Sequence, residues 1–106
     1  MFVSVFETTL ERAETAVTEV KADVLQCLVV DDVFIGKLKK SRKKLSLSKR
    51  EAAMRLRLIY SGEYVNDLTF WESVKLSKKL EKCLTHCEEA EELLKTILPK
   101  KGKNKA

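Results

Sequence analysis

From Val3 to Cys27 the apolar residues keep a strict beat. Val3, Phe6, Leu10, Ala13, Val17, Val20, Val24 and Cys27 follow one another at intervals of 3, 4, 3, 4, 3, 4 and 3. A strand would need a period of two, whereas alternating steps of three and four return each side chain to one side of an α-helix. More than three heptads in this a/d pattern predict one helix over residues 3–29, ~40 Å long at 1.5 Å per residue. Glu7, Glu11, Glu14, Glu19 and Asp23 fall off the stripe and are expected to face water.

The same beat returns near the other end, where Leu76, Leu80, Cys83, Cys87, Ala90, Leu94 and Ile97 are spaced 4, 3, 4, 3, 4 and 3. Thr69 and Glu72 form a T-x-x-E capping box ahead of it. In such a box each side chain satisfies a backbone N–H that the first helical turn leaves open. Pro99 cannot continue a helix, so a helix over residues 70–98 is predicted. Between the two stripes, Asp31 or Asp32 can cap a helix running through Val33, Phe34 and Leu38 to about Lys44. Gly36 weakens it by about 1 kcal/mol relative to alanine. Ser48 and Glu51 form an S-x-x-E box ahead of a further short helix carrying Ala52, Leu56, Ile59 and Tyr60, with Gly62 where a C-cap belongs. Residues 61–67 read as the connection to the last helix.

Neither stripe can be buried by its own helix. The expected fold class is therefore all-α: a helical bundle of two long heptad-patterned helices with one or two shorter ones between them, packed within the chain or against a second copy. One proline and three glycines among 106 residues agree with a helical chain, as does the abundance of Glu, Lys and Leu. The length suits one domain, drawn at 1–98, with 99–106 as a disordered basic tail lacking apolar residues. No apolar run approaches the ~18 residues of a membrane span. The opening MFVSVFETTLER lacks the basic start of a signal peptide. Three cysteines without disulfide spacing suit a reducing compartment, which places the expected location in the cytoplasm, with the nucleus as a further site.

Net charge is +5, but it is sharply segregated. Residues 1–36 carry −5, residues 37–58 carry +9, residues 59–98 carry −3, and residues 99–106 carry +4. The basic band consists of Lys37, Lys39, Lys40, Arg42, Lys43, Lys44, Lys49, Arg50, Arg55 and Arg57, with Glu51 as its single acid. It is the candidate partner-binding surface, and three readings compete for it. It can be a solvated surface, a dock for an acidic protein, or a phosphate-binding strip for RNA or DNA. KLKKSRKKLSLSKR, residues 37–50, holds no aromatic residue, so specific base reading is unsupported while loose phosphate binding stays open. KKSRKK is also similar to a nuclear import signal.

Other candidate chemistry is thin. Cys83, His86 and Cys87 lie within about a turn of one helix, and Cys27 ends the first stripe. The set could in principle form a Cys3His zinc site, yet all three cysteines occupy stripe positions, where a free thiol behaves as a small hydrophobe. No metal or cofactor is expected. His86 is the sole histidine, and no phosphate loop, G-x-S-x-G or H-E-x-x-H is present, so no catalytic residue is assigned and an enzyme is not expected. EEAEE at 88–92 can pair with the basic band or simply meet water. Phe70 and Trp71 follow the Thr69 cap. Adjacent helical residues do not easily both face outward, which favours the pair closing the end of the core; the alternative is an exposed aromatic anchor for a partner.

The second half of the chain is similar in order to the carboxy-terminal helical domain of paramyxovirus C proteins. AAMRLRLIYSG, a turn, LTFWESVKL and CEEAEELLKTILP follow one another over residues 52–99. This resemblance implies a non-enzymatic viral accessory protein that antagonises interferon signalling and regulates viral RNA synthesis. The partners it implies are STAT transcription factors or viral polymerase components in the host cytoplasm. Members of that family usually begin with a long basic segment, whereas this sequence opens on a helical pattern. FETTLERAETAV and LEKCLTHCEEAEELL also resemble the small subunit of bacterial exonuclease VII, but residues 25–69 are too long for that helical hairpin. The remaining readings are a small basic nucleic-acid-binding protein using residues 37–57 and a coiled-coil-like oligomerisation unit, such as a homodimer, built on the two stripes.

Overall fold

The computed structural model describes residues 3–27 and 29–98. Three helices account for most of them: α1 (Val3–Leu25), α2 (Asp32–Tyr60) and α3 (Phe70–Ile97). Each packs against both others, so the chain is an all-α three-helix bundle with no strand among the described residues. The expected tail at 99–106 lies outside the described residues.

Several helix boundaries follow their sequence signals. Asp31 caps α2, its Oδ1 accepting from the Phe34 N–H at 2.9 Å. At α3 the box is reciprocal: Thr69 Oγ1 accepts from the Glu72 N–H at 3.1 Å, and Glu72 Oε1 accepts from the Thr69 N–H at 2.9 Å. Gly62 sits one residue past the α2 cap, with φ of +81°. There the Gly62 N–H reaches Ile59 O and the Glu63 N–H reaches Leu58 O, the paired bonds of a Schellman closure. Leu98 is extended, as the residue before a proline tends to be.

Two expectations need correction. α1 stops at Leu25 rather than near residue 29, closing with bonds from Gln26 to Ala22 O and from Cys27 to Val24 O. Asp31 already caps the next helix. More substantially, the middle of the chain is not one or two short helices but the longest helix of the three, 29 residues without a break. Ser48 caps nothing, and Glu51 turns to Arg12 on α1 at 3.8 Å. The physical reason is register. Leu38, Ser41, Leu45, Ala52 and Leu56 are all buried on one side of α2, and a break at Ser48 would separate Leu45 from Ala52, which stand one heptad apart on that side.

The core has two continuous parts. One joins Ala13, Val17 and Val20 of α1 to Leu38 and Leu45 of α2 and to Cys83, Cys87, Ala90 and Leu94 of α3. The other lies at the opposite end and gathers Phe6, Ala52, Leu56, Leu76 and Leu80 with Tyr64 and Leu68 from the α2–α3 connection. Tyr64 meets Phe6 edge to face, ring centroids 5.1 Å apart. Phe6, Ala13, Val17 and Val20 of the first stripe and Leu76, Leu80, Cys83, Cys87, Ala90 and Leu94 of the second are buried within the one chain, whereas Cys27 belongs to neither part of the core.

Candidate partner-binding surfaces

α2 carries the whole basic band, and packing divides it. An isolated helix with this run would suffer like-charge repulsion at i,i+4, as between Lys39 and Lys43 or Lys40 and Lys44. The bundle relieves the strain by placing acids of α1 and α3 along the two flanks of α2. Lys37 Nζ lies 3.3 Å from Asp23 Oδ1, and Ser41 Oγ donates to the other oxygen of Asp23 at 2.9 Å. Lys44 reaches Glu19 at 3.7 Å, and Lys49 donates to Glu91 at 2.7 Å. That hydrogen bond holds the Lys49 ammonium above its usual pKa. Arg55 is drawn into the end of the core, where its guanidinium donates to Tyr64 Oη at 3.1 Å and lies 5.9 Å from the centre of the Phe6 ring.

Lys39, Lys40, Arg42, Lys43, Arg50 and Arg57 are left exposed, with no ion pair among the described residues. An open groove of about 530 Å³ runs along part of this face, lined by Lys39, Arg42, Lys43, Ser46, Leu47, Arg50 and Glu91. The sequence could not separate the cations that hold the bundle from those that meet solvent.

The acids of α1 were expected in water. Glu7 and Glu11 are exposed, but Glu14, Glu19 and Asp23 are half-buried and engaged. In the EEAEE segment, Glu91 serves Lys49 and Glu92 pairs with Lys95 at 3.3 Å, while Glu88 and Glu89 face solvent.

Phe70 and Trp71 do not close the core. They are 71% and 73% exposed and stack edge to face on each other at 5.2 Å. Tyr64 and Leu68 fill the end of the bundle in their place. They stand four residues apart and are tied by the Leu68 N–H to Tyr64 O bond of 3.0 Å. That spacing was a readable signal, missed because it lies in a connection without a longer period. Val65 and Tyr60, near in sequence to this end of α3, are also largely exposed. Tyr60 donates to Glu81 on α3, and this bond raises its phenol pKa.

The cysteine and histidine residues do not gather. Cys83 and Cys87 are fully buried in the core, while Cys27 lies past the end of α1 and bonds Val29 O. His86 turns to α1, its Nδ1 lying 2.9 and 3.2 Å from the two carboxylate oxygens of Glu14. Among the described residues no three His, Cys, Asp or Glu side chains are placed to share a metal ion. Cys83 and Cys87 titrate as a pair: their mutual hydrogen bond, with burial, pushes the Cys83 thiol up, and the same bond lowers that of Cys87. No helix among the described residues is long and apolar enough to cross a membrane.

Comparison with protein-family models, with curated proteins and with solved structures finds no match to the chain.

Proposed function

We propose that the chain is a non-enzymatic interaction module that docks a protein partner through the aromatic pair at the start of α3. The supporting observation is the exposure of Phe70 and Trp71 on a helix end held by a reciprocal capping box. Two large rings fixed on a rigid turn offer apolar contact area at little entropic cost, and tryptophan is among the residues that most often carry interface energy. Val65, Glu63 and Asp67, in the connection that leads into this helix, are exposed as well. The resemblance of residues 52–99 to the paramyxovirus C proteins makes STAT transcription factors and viral polymerase components the first partners to test. Antagonism of interferon signalling and control of viral RNA synthesis are the roles that follow from it.

The test is capture of those proteins by the wild-type chain and by F70A/W71A, with circular dichroism to show that both are folded. Capture by the wild type that is lost in the folded double variant supports the reading. Equal capture by both variants, or capture of none of these proteins by the wild type, overturns it.

A further inference from the structure

We infer that the solvent face of α2 binds the phosphate backbone of B-form DNA, without reading sequence. This surface lies on another helix from the aromatic pair, and its argument is independent of that docking reading. Lys39, Lys43, Arg50 and Arg57 follow at intervals of four, seven and seven residues, which brings all four to one side of the helix. They make a strip about 27 Å long at 1.5 Å per residue. Arg42 and Lys40 stand to either side of it. All six are exposed and without an ion pair among the described residues, although four other cations of the same band are engaged by the bundle.

The arrangement differs from an ordinary solvated charge face. α3 also carries exposed Lys75, Lys78, Lys79 and Lys82, but Glu72 precedes them, Glu81 lies among them, and Glu88 and Glu89 follow. On α2 no acid occurs from residue 33 to 50, and Glu51 is turned to α1. The acids that neighbouring helices bring to α2, Asp23, Glu19 and Glu91, neutralise the flanking cations and leave the outer strip uncompensated. A row of cations along a convex helix is complementary to a polyanion of regular charge spacing.

The helix form selects among polyanions. A B-form major groove is about 12 Å wide and admits an α-helix, with phosphates on both rims for cations on both sides. An A-form RNA major groove is too deep and narrow for this approach. Single strands would call for stacking aromatics, and the strip from Lys39 to Arg57 has none, while Tyr60 just beyond it is bonded to Glu81. An anionic membrane would call for a continuous apolar face, whereas only Leu47 and Met54 interrupt the cations here.

The experiment measures fluorescence anisotropy of a labelled 20-base-pair DNA duplex over a salt series, for the full chain and two charge-matched variants. One variant is K39Q/K43Q/R50Q/R57Q; the other is K75Q/K78Q/K79Q/K82Q on α3. Both remove four exposed charges, and circular dichroism checks that each folds as the wild type. Wild-type binding is expected to weaken about a thousandfold between 50 and 200 mM salt, as for some six phosphate contacts. The α2 variant should lose most of its affinity and about 3.6 of the log–log salt slope, at 0.9 per contact. The α3 variant should stay within a fewfold of wild type, and two unrelated duplex sequences should bind alike. Absence of duplex binding at 50 mM salt overturns the inference. Equal weakening by the α3 variant does so too, because net charge alone would then explain the effect. Tighter binding to a 20-base-pair RNA duplex, to oligo-dT or to anionic vesicles would also overturn it.

Discussion

Lys49 on α2 and Glu91 on α3 meet at 2.7 Å, each side chain only about one-third exposed, 30% and 31%. The bond spans two helices and ties the basic band to the acidic run that follows it in sequence. A pair of this kind is worth about 0.5–1 kcal/mol. K49M, which keeps the aliphatic stem, should lower the melting temperature by ~2–8 °C at neutral pH. K44M should do less, since Lys44 and Glu19 are more exposed and 3.7 Å apart. Thermal denaturation followed by circular dichroism separates the two variants.

The pH dependence of that contribution has a fixed sign. The folded-state pKa of Lys49 is raised above its ordinary 10.5 by its bond to Glu91. Its stabilisation is therefore complete below pH 10.5 and is lost as pH rises through the raised value. Tyr60 acts in the same direction, because its phenol is also raised, by Glu81, above the ordinary 10.0. Wild type should lose stability in this alkaline window more steeply than E91Q. Ultraviolet titration of E81Q should show one tyrosine ionising at lower pH than in wild type.

Proline at Ser48 distinguishes a continuous α2 from two short helices. At the first residues of a helix proline is tolerated, whereas in a helix interior it costs about 3 kcal/mol or more. S48P should therefore melt at least ~10 °C lower than wild type. A near-neutral effect would restore the break at residue 48.

The two described glycines should respond oppositely to alanine. Gly36 is helical and exposed, and a methyl group there meets nothing within 4 Å. G36A should stabilise by about 0.5–1 kcal/mol, through helix propensity and a less flexible unfolded chain. Gly62 also has open space, but its φ of +81° is costly for any residue with a Cβ. G62A should destabilise by about 1 kcal/mol. Urea denaturation of both variants gives the two signs directly.

Trp71 is the sole tryptophan, so its emission reports one surface. Because it is 73% exposed, the free chain should show red-shifted emission readily quenched by acrylamide. W71A should leave stability within about 0.5 kcal/mol, as expected for an exposed side chain outside the core. F6A, which empties a fully buried ring site against Tyr64, should cost about 3–5 kcal/mol. Comparing the two melting curves tests whether the aromatic pair or the Phe6–Tyr64 contact closes this end of the bundle.

The helical class and the caps at Asp31, Thr69 and Gly62 were legible in the sequence, because each rests on interactions within a few residues of chain. The α2 seam was harder to read. Ser41 and Ser48 occupy positions where an apolar residue would have announced the period, and Ser48 with Glu51 imitates a helix start. A local cap signal there is overruled by the burial of Leu45 and Ala52 on one side, which depends on the facing helices.

By itself the sequence determined that this chain is helical, where its charge is concentrated, and which residues recur on each stripe. Only the tertiary structure decided that Lys37, Lys44, Lys49 and Arg55 are engaged while Lys39, Lys43, Arg50 and Arg57 face solvent, and that Tyr64 rather than Trp71 covers Phe6. Periodicity and capping are set by neighbours along the chain. Exposure and ion pairing are set by distances between residues far apart in sequence, such as Asp23 to Lys37 or Phe6 to Tyr64, and those distances exist only once the helices have packed.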